Sequence, residues 1–192
     1  MARAGSKLET EIKLRLDDRA ALKRQLSRLG FSISRRRALE SNTVFDTPGG
    51  LLQREGKLLR LRQTGSHGVI TFKGPVGASR YKSREEIESG FTNEPAMRLI
   101  LERLGFQPVF RYQKYRTEYS RPNQPGSVML DETPIGDFLE LEGSPRWIER
   151  TARELGWGPA DYITDSYGAL YRNHCRLTGE APGHMVYHRR RL

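Results

Sequence analysis

Leu8-Glu9-Thr10-Glu11-Ile12-Lys13-Leu14-Arg15-Leu16 is the stretch that decides the fold. Read at period two, it has two faces. One carries Glu9, Glu11, Lys13 and Arg15; the other carries Leu8, Thr10, Ile12, Leu14 and Leu16. A half-buried strand sets apolar side chains on one face and polar ones on the other. A single strand of this kind would simply face its charges to water. Here the same alternation returns along most of the chain.

Arg60 and Arg62 alternate with Leu59 and Leu61, and Thr71 and Lys73 with Ile70 and Phe72. Arg84, Glu86 and Glu88 alternate with Glu85, Ile87 and Ser89. Lys114, Arg116 and Glu118 alternate with Tyr115, Thr117 and Tyr119; Asp131 follows Leu130, and Glu140 and Glu142 flank Leu141. Such strands can point their charges outward around an oily core, or inward to line a wet tunnel. Buried charges are costly unless paired or holding an ion, so the tunnel needs specific support. The long inter-strand segments read as amphipathic helices, which need an apolar sheet surface to cover. The acids also come in pairs two residues apart (Glu9/Glu11, Glu86/Glu88, Glu140/Glu142). Like charges at that spacing repel, and a cation between them turns the cost into a binding site.

Glu9-x-Glu11-x-Lys13 resembles the E-x-E-x-K signature of the CYTH superfamily, the triphosphate tunnel metalloenzymes. Later elements follow in family order: Leu59-Arg60-Leu61-Arg62, Thr71-Phe72-Lys73-Gly74-Pro75, Arg84-x-Glu86-x-Glu88, Lys114-x-Arg116, Leu130-Asp131, Gly136-Asp137-Phe138-Leu139-Glu140-Leu141-Glu142 and Ser166-Tyr167. The resemblance implies an α+β fold: a closed eight-stranded antiparallel barrel with a charged interior and helices outside. It implies that Lys13, Arg60, Arg62, Lys73, Arg84, Lys114 and Arg116 bind a triphosphate. Glu9, Glu11, Asp131, Glu140 and Glu142 become candidate ligands for Mg²⁺ or Mn²⁺. Lys13, Glu11 and Glu142 are the candidate catalytic groups, and Glu86 and Glu88 orient the cations or hold metal through water. Arg15 and Glu118 fit the alternation and are assigned structural roles.

The chemistry of these residue types agrees. Guanidinium groups match phosphate oxygens in a bidentate way, and lysines add point charge. Carboxylates are the hard oxygen donors that Mg²⁺ and Mn²⁺ prefer. No His/Cys spacing suggests zinc, and no phosphate-binding G-x-x-x-x-G-K-[ST] loop is present. The leading reading is a metal-dependent hydrolase of tripolyphosphate, thiamine triphosphate or a nucleoside triphosphate. A class IV adenylyl cyclase, making cyclic AMP and pyrophosphate from ATP, comes second. A non-enzymatic binder of polyanions or RNA comes third, because a simple anion binder has no use for inward carboxylates.

The chain has 192 residues, 36% hydrophobic and 29% charged, with a formal charge of +10 and a pI near 10.0. That length makes one sizeable domain, and the basic balance asks for an acidic partner. One cysteine, Cys175, rules out an internal disulfide and reads as a packed, inert thiol. No apolar run is long enough to span a membrane, and a cytoplasmic protein is expected. A homodimer is left open. Residues 1–7 read as a loose lead, 8–175 as the tunnel domain, and 176–192 as a disordered basic tail. The Arg35-Arg36-Arg37 run reads as a solvated patch. Three helices share a leucine-glycine-aromatic ending at Gly30, Gly105 and Gly156. A glycine cap with an apolar residue tucked beneath it explains that ending.

Overall fold

The computed structural model describes residues 6–77 and 80–188. Eight strands carry it: β1 (Lys7–Leu16), β2 (Ser32–Asp46), β3 (Leu58–Thr64), β4 (His67–Lys73), β5 (Lys82–Phe91), β6 (Gln107–Ser120), β7 (Ser127–Thr133) and β8 (Gly136–Glu142). They close into an antiparallel barrel in the order β1-β5-β4-β3-β2-β6-β7-β8. Closure removes free sheet edges. Eight strands leave an interior just wide enough for side chains or one small ligand.

Both faces of β1 are buried. Ile12 and Leu14 pack outward with Leu22 and Leu26 of α1 (Arg19–Arg28) and Ile148 and Ala152 of α4 (Pro145–Glu154). Glu9, Glu11 and Lys13 are buried on the inner face. The helices therefore cover the apolar outside, and the charges line the inside. This explains a high charged fraction in a chain that nonetheless has a core.

The helices start where side chains can cap them. Asp18 accepts from the amides of Ala20 and Ala21 at 2.8 and 2.9 Å, and Ser144 from that of Trp147 at 3.3 Å. Asn93 does the same for α3 (Glu94–Arg103), and Ser166 for α5 (Tyr167–Thr178). Such caps satisfy otherwise orphaned amides. The three leucine-glycine-aromatic endings are one device. Gly30, Gly105 and Gly156 take positive φ, and Phe31, Phe106 and Trp157 return their amides to Leu26, Leu101 and Ala152 at 2.9–3.0 Å.

Several segments differ from expectation. β2, which none of the alternating stretches quoted above covers, begins at Ser32 and brings Glu40 and Asn42 into the barrel. A short helix, α2 (Leu51–Arg54), follows the turn at Gly50. Arg35, Arg36 and Arg37 are exposed, as expected, and Arg37 also bonds Glu132 at 2.8 Å and lies 3.6 Å from the Tyr115 ring centroid. Arg15 keeps the β1 alternation but is exposed over Phe138, past the enclosed part of the barrel.

The end of the chain also differs. The expected disordered tail, 176–192, is ordered over its described part. α5 runs on to Thr178, and the chain returns along β6. β6 pairs with β7 only from Tyr115 onward, which leaves the backbone upstream without a neighbour on that side. Met185 fills the gap: its amide donates to Arg111 at 3.0 Å, and its carbonyl accepts from Gln113 at 2.8 Å. Its side chain is wholly buried against Tyr112, Phe138 and Tyr167. A single buried methionine leaves no periodic trace, which is why the segment read as disordered. Residues 1–5 of the expected lead and Arg189–Arg191 lie outside the described residues.

Candidate functional site

The barrel encloses a charged cavity of about 220 Å³. Lys13, Arg60, Arg62, Lys73, Arg84, Lys114 and Arg116 all line it, and so do Glu9, Glu11, Glu86, Glu88, Glu140 and Glu142. They come from six strands, brought together because the inward positions alternate at period two. Glu118 stands at the rim with Arg35, 3.0 Å away.

In this structure the acids and bases hold one another. Lys73 sits between Glu9 at 2.6 Å and Glu86 at 3.1 Å. Lys13 lies 3.1 Å from Glu11 and 3.5 Å from Glu140. Arg116 reaches Asp131 through two nitrogens at 2.6 Å and extends to Glu140. Burial alone would lower the Lys13 pKa, but Glu11 and Glu140 outweigh it and the ammonium is held charged. Burial likewise opposes ionisation of Glu11 and Glu140, yet the surrounding lysines and Arg116 hold both carboxyls well below the usual range.

Asp131 is set apart. It does not line the cavity; it is fully buried behind it. Its oxygens accept from Lys114 at 2.8 Å, from Arg116, and from the Tyr167 hydroxyl at 2.6 Å. It therefore orients two cations that do face the cavity. Glu88 is half-open at the mouth, accepting from Thr71 at 2.8 Å.

Some polar groups are left over. Inside the barrel, Arg60 Nε, Arg84 Nε and Glu40 Oε2 make no hydrogen bond, though Arg84 Nε lies 3.7 Å from Glu9 and Glu40 Oε2 lies 3.4 Å from Arg62. A buried polar atom without a partner carries a desolvation cost, and a site awaiting a ligand explains such groups. Two of these three are arginine donors.

Sequence reasoning gave no site role to three residues here. Lys82 lies two positions before Arg84 on the same face and bonds Glu11 at 2.9 Å. Burial and the neighbouring Lys13 push its ammonium down to about 8. Tyr112 lies two positions before Lys114 and faces Arg60 at 3.3 Å. Burial would raise its phenol, but Arg60, Arg62 and Lys114 overcome that and bring it to about 8. Glu40 is held near 2 against burial by Lys114, Arg116, Arg62 and Arg60. The period-two rule, extended one step along β5 and β6, reaches Lys82 and Tyr112; Glu40 lies on β2, where no alternation was read.

Glu11 and Glu142 are direct cross-strand partners, with Glu9 adjacent on β1. Burial pushes the Glu142 carboxyl up, and Glu9 and Glu11 add to this while Lys7 opposes it. Like charges placed opposite each other are unfavourable without a cation. These hard oxygen donors fit Mg²⁺ or Mn²⁺. Among the described residues, no three of them converge as a ready-made metal cage.

A family model described as the CYTH domain matches residues 7–167. The chain belongs to the CYTH family. This CYTH chain is 32% identical over 137 residues to a candidate adenylate cyclase of Methanocaldococcus jannaschii, covering 71% of this chain and 77% of that one. Among solved structures, the PH1819 protein of Pyrococcus horikoshii matches with a TM-score of 0.73 at 24% identity, over 86% of this chain and 98% of its own. A candidate adenylyl cyclase from Hippeastrum, described as having a dominant triphosphatase activity, matches with a TM-score of 0.60 at 20% identity. That match spans 91% of this chain and 97% of the Hippeastrum one. Both structures share the CYTH barrel.

Proposed function

We propose that this protein hydrolyses triphosphates inside the barrel, with a divalent cation. One observation carries the reading: a small enclosed cavity is lined by Arg60, Arg62, Lys73, Arg84, Lys114 and Arg116, two of whose guanidinium groups retain an unsatisfied donor. An enclosure of about 220 Å³ suits a phosphate chain and excludes a nucleic-acid duplex. The inward carboxylates support an enzyme over a simple anion binder.

In the proposed reaction, water forms a bond to the terminal phosphorus. The bond to the bridging oxygen breaks, and its electron pair leaves with the diphosphate. The single proton given up by water passes to one carboxylate, Glu142, whose carboxyl is raised by burial. The arginines and lysines fix the phosphates in line and offset the spreading negative charge, where most catalysis of phosphoryl transfer originates. Before substrate binds, Lys13 holds the Glu11 carboxylate toward the cavity. Glu9, Glu11, Glu140 and Glu142 would hold the metal, whose chemistry is to neutralise phosphate charge and activate water. As phosphates draw Lys13, Lys73 and Lys82 toward themselves, these carboxylates are freed for it.

A second reading, adenylyl cyclase, is favoured by the name of the Methanocaldococcus jannaschii relative. Product analysis separates the two. Tripolyphosphate, ATP and thiamine triphosphate are each incubated with Mg²⁺ and with Mn²⁺, and products are resolved by ³¹P NMR. Orthophosphate with the matching diphosphate supports hydrolysis. Cyclic AMP with pyrophosphate supports the cyclase. Turnover retained in a folded Glu140→Ala, Glu142→Ala double variant removes those carboxylates from the site.

A further inference from the structure

Each carboxylate proposed for the metal has a lysine on it, and one of these lysines differs from the rest. Lys73 bonds Glu9, Lys13 and Lys82 bond Glu11, and all three side chains are 6% exposed or less. Lys7 bonds Glu142 at 3.0 Å and lies 3.6 Å from Glu86, and its side chain is 56% exposed. Its ammonium thus stands at the mouth of the cavity, with the acids on one side and water on the other.

The fold puts it there. Lys7, expected in a loose lead, is the first residue of β1 and opens the face that continues as Glu9, Glu11 and Lys13. β1 pairs Lys7 with Glu86 of β5, and Glu11 with Glu142 of β8. The ammonium therefore joins acids from the two strands that flank β1. Glu86 has Lys73 as a second partner at 3.1 Å. Among the described residues, Lys7 is the one cation within ion-pair distance of Glu142. A phosphate chain inside the barrel draws Lys13, Lys73 and Lys82 to itself and frees Glu9 and Glu11. Glu142 is freed only when its own ammonium is displaced. That displacement costs little, because a half-exposed lysine can turn its head into water and exposed ion pairs are weak. A divalent cation brings twice the charge to the same oxygens; a monovalent one brings no more than the ammonium it replaces.

We propose that Lys7 is a tethered stand-in for the metal: its ammonium holds Glu142 and Glu86 until a divalent cation displaces it, so this one side chain sets how much metal the protein needs. The assignment rests on the metal-dependent reading above and deepens it. Lys7 is a positioning residue. It fixes a carboxylate and touches neither the phosphates nor the attacking water. Its charge opposes a second cation at the same oxygens, so removing that charge strengthens metal binding.

The test measures Mn²⁺ affinity without substrate, from the loss of the free-ion EPR signal at fixed low ionic strength, in the wild type, Lys7→Met and Lys7→Arg. Methionine keeps most of the stem and removes the charge; arginine keeps the charge. Lys7→Met is expected to bind Mn²⁺ about fivefold more tightly, the scale of one exposed ion pair. Lys7→Arg should stay within about twofold of the wild type. Tripolyphosphate turnover by Lys7→Met should then reach its half-maximum at about fivefold less Mn²⁺. Equal or weaker Mn²⁺ binding in Lys7→Met overturns the proposal, and a merely structural role predicts the weaker. Calorimetry in EDTA tests the other role. A tripolyphosphate affinity that falls further than the Mn²⁺ affinity rises makes Lys7 a phosphate contact and also overturns the proposal. If neither protein takes up millimolar Mn²⁺, the metal-dependent reading falls and takes the role of Lys7 with it. Equal affinity in proteins that do bind Mn²⁺ sinks the role of Lys7 alone.

Discussion

Asp131→Asn tests how the phosphate-facing cations are held. The carboxylate is fully buried and accepts from Lys114, from both ends of the Arg116 fork, and from Tyr167. Removing one partner of a buried charged pair costs about 3–5 kcal/mol. Asparagine keeps the volume and one acceptor, so the low end, about 3 kcal/mol, applies. For a chain of this size, each kcal/mol moves Tm by about 2–4 °C. The expected fall is therefore about 6–12 °C, measured calorimetrically in EDTA. Millimolar tripolyphosphate should recover more of Tm in the variant than in the wild type, because it supplies the missing negative charge to Lys114 and Arg116. A fall below about 2 °C in EDTA refutes Asp131 as the internal counter-charge. A fall seen only with Mg²⁺ or Mn²⁺ present would make it a metal ligand instead.

Three further expectations follow from particular side chains. Tyr112 should ionise near pH 8 by absorbance at 295 nm, a step lost in Tyr112→Phe. Tripolyphosphate should raise that midpoint, and by linkage its affinity should weaken as pH rises through 8; a midpoint near 10 refutes the cationic cluster around the phenol. Glu40, held near 2 in the folded state, contributes stability that is full above its unfolded value and lost as pH falls toward 2. Glu40→Gln should flatten the acid limb of the stability–pH curve between about 4.5 and 2, and an unchanged limb would show Glu40 contributes nothing there. Met185→Ala should cost about 2–5 kcal/mol in urea unfolding, with faster hydrogen exchange at the Gln113 amide, while Met185→Leu stays within about 1.5 kcal/mol; equal stability of all three would show that the strap does not hold β6.

Much of the barrel could be read from one rule. Period-two alternation of charge against aliphatic side chains named the inner face of β1, β3, β4, β5 and β8 correctly, because nothing interrupts those strands. The rule stopped short where register breaks. β2 carries irregularities between Ile33 and Arg35 and between Arg35 and Ala38, so its early half shows no alternation; beyond them the inward residues Glu40, Asn42 and Val44 do not repeat a charge, and Glu40 went unread. Lys82 and Tyr112 lay one step beyond the quoted motifs. Met185 was illegible for another reason: its backbone partners, Arg111 and Gln113, lie more than 70 residues away, and local pattern says nothing about such contacts.

The most direct measurement is a crystal structure with a non-hydrolysable triphosphate and Mn²⁺, the metal located by anomalous scattering. The account predicts phosphate oxygens on Arg60, Lys73, Arg84, Lys114 and Arg116 inside the barrel, with manganese among Glu9, Glu11, Glu140 and Glu142. Phosphate bound only on the outer basic surface, with Lys73 still joined to Glu9 and Lys13 to Glu11, would contradict it.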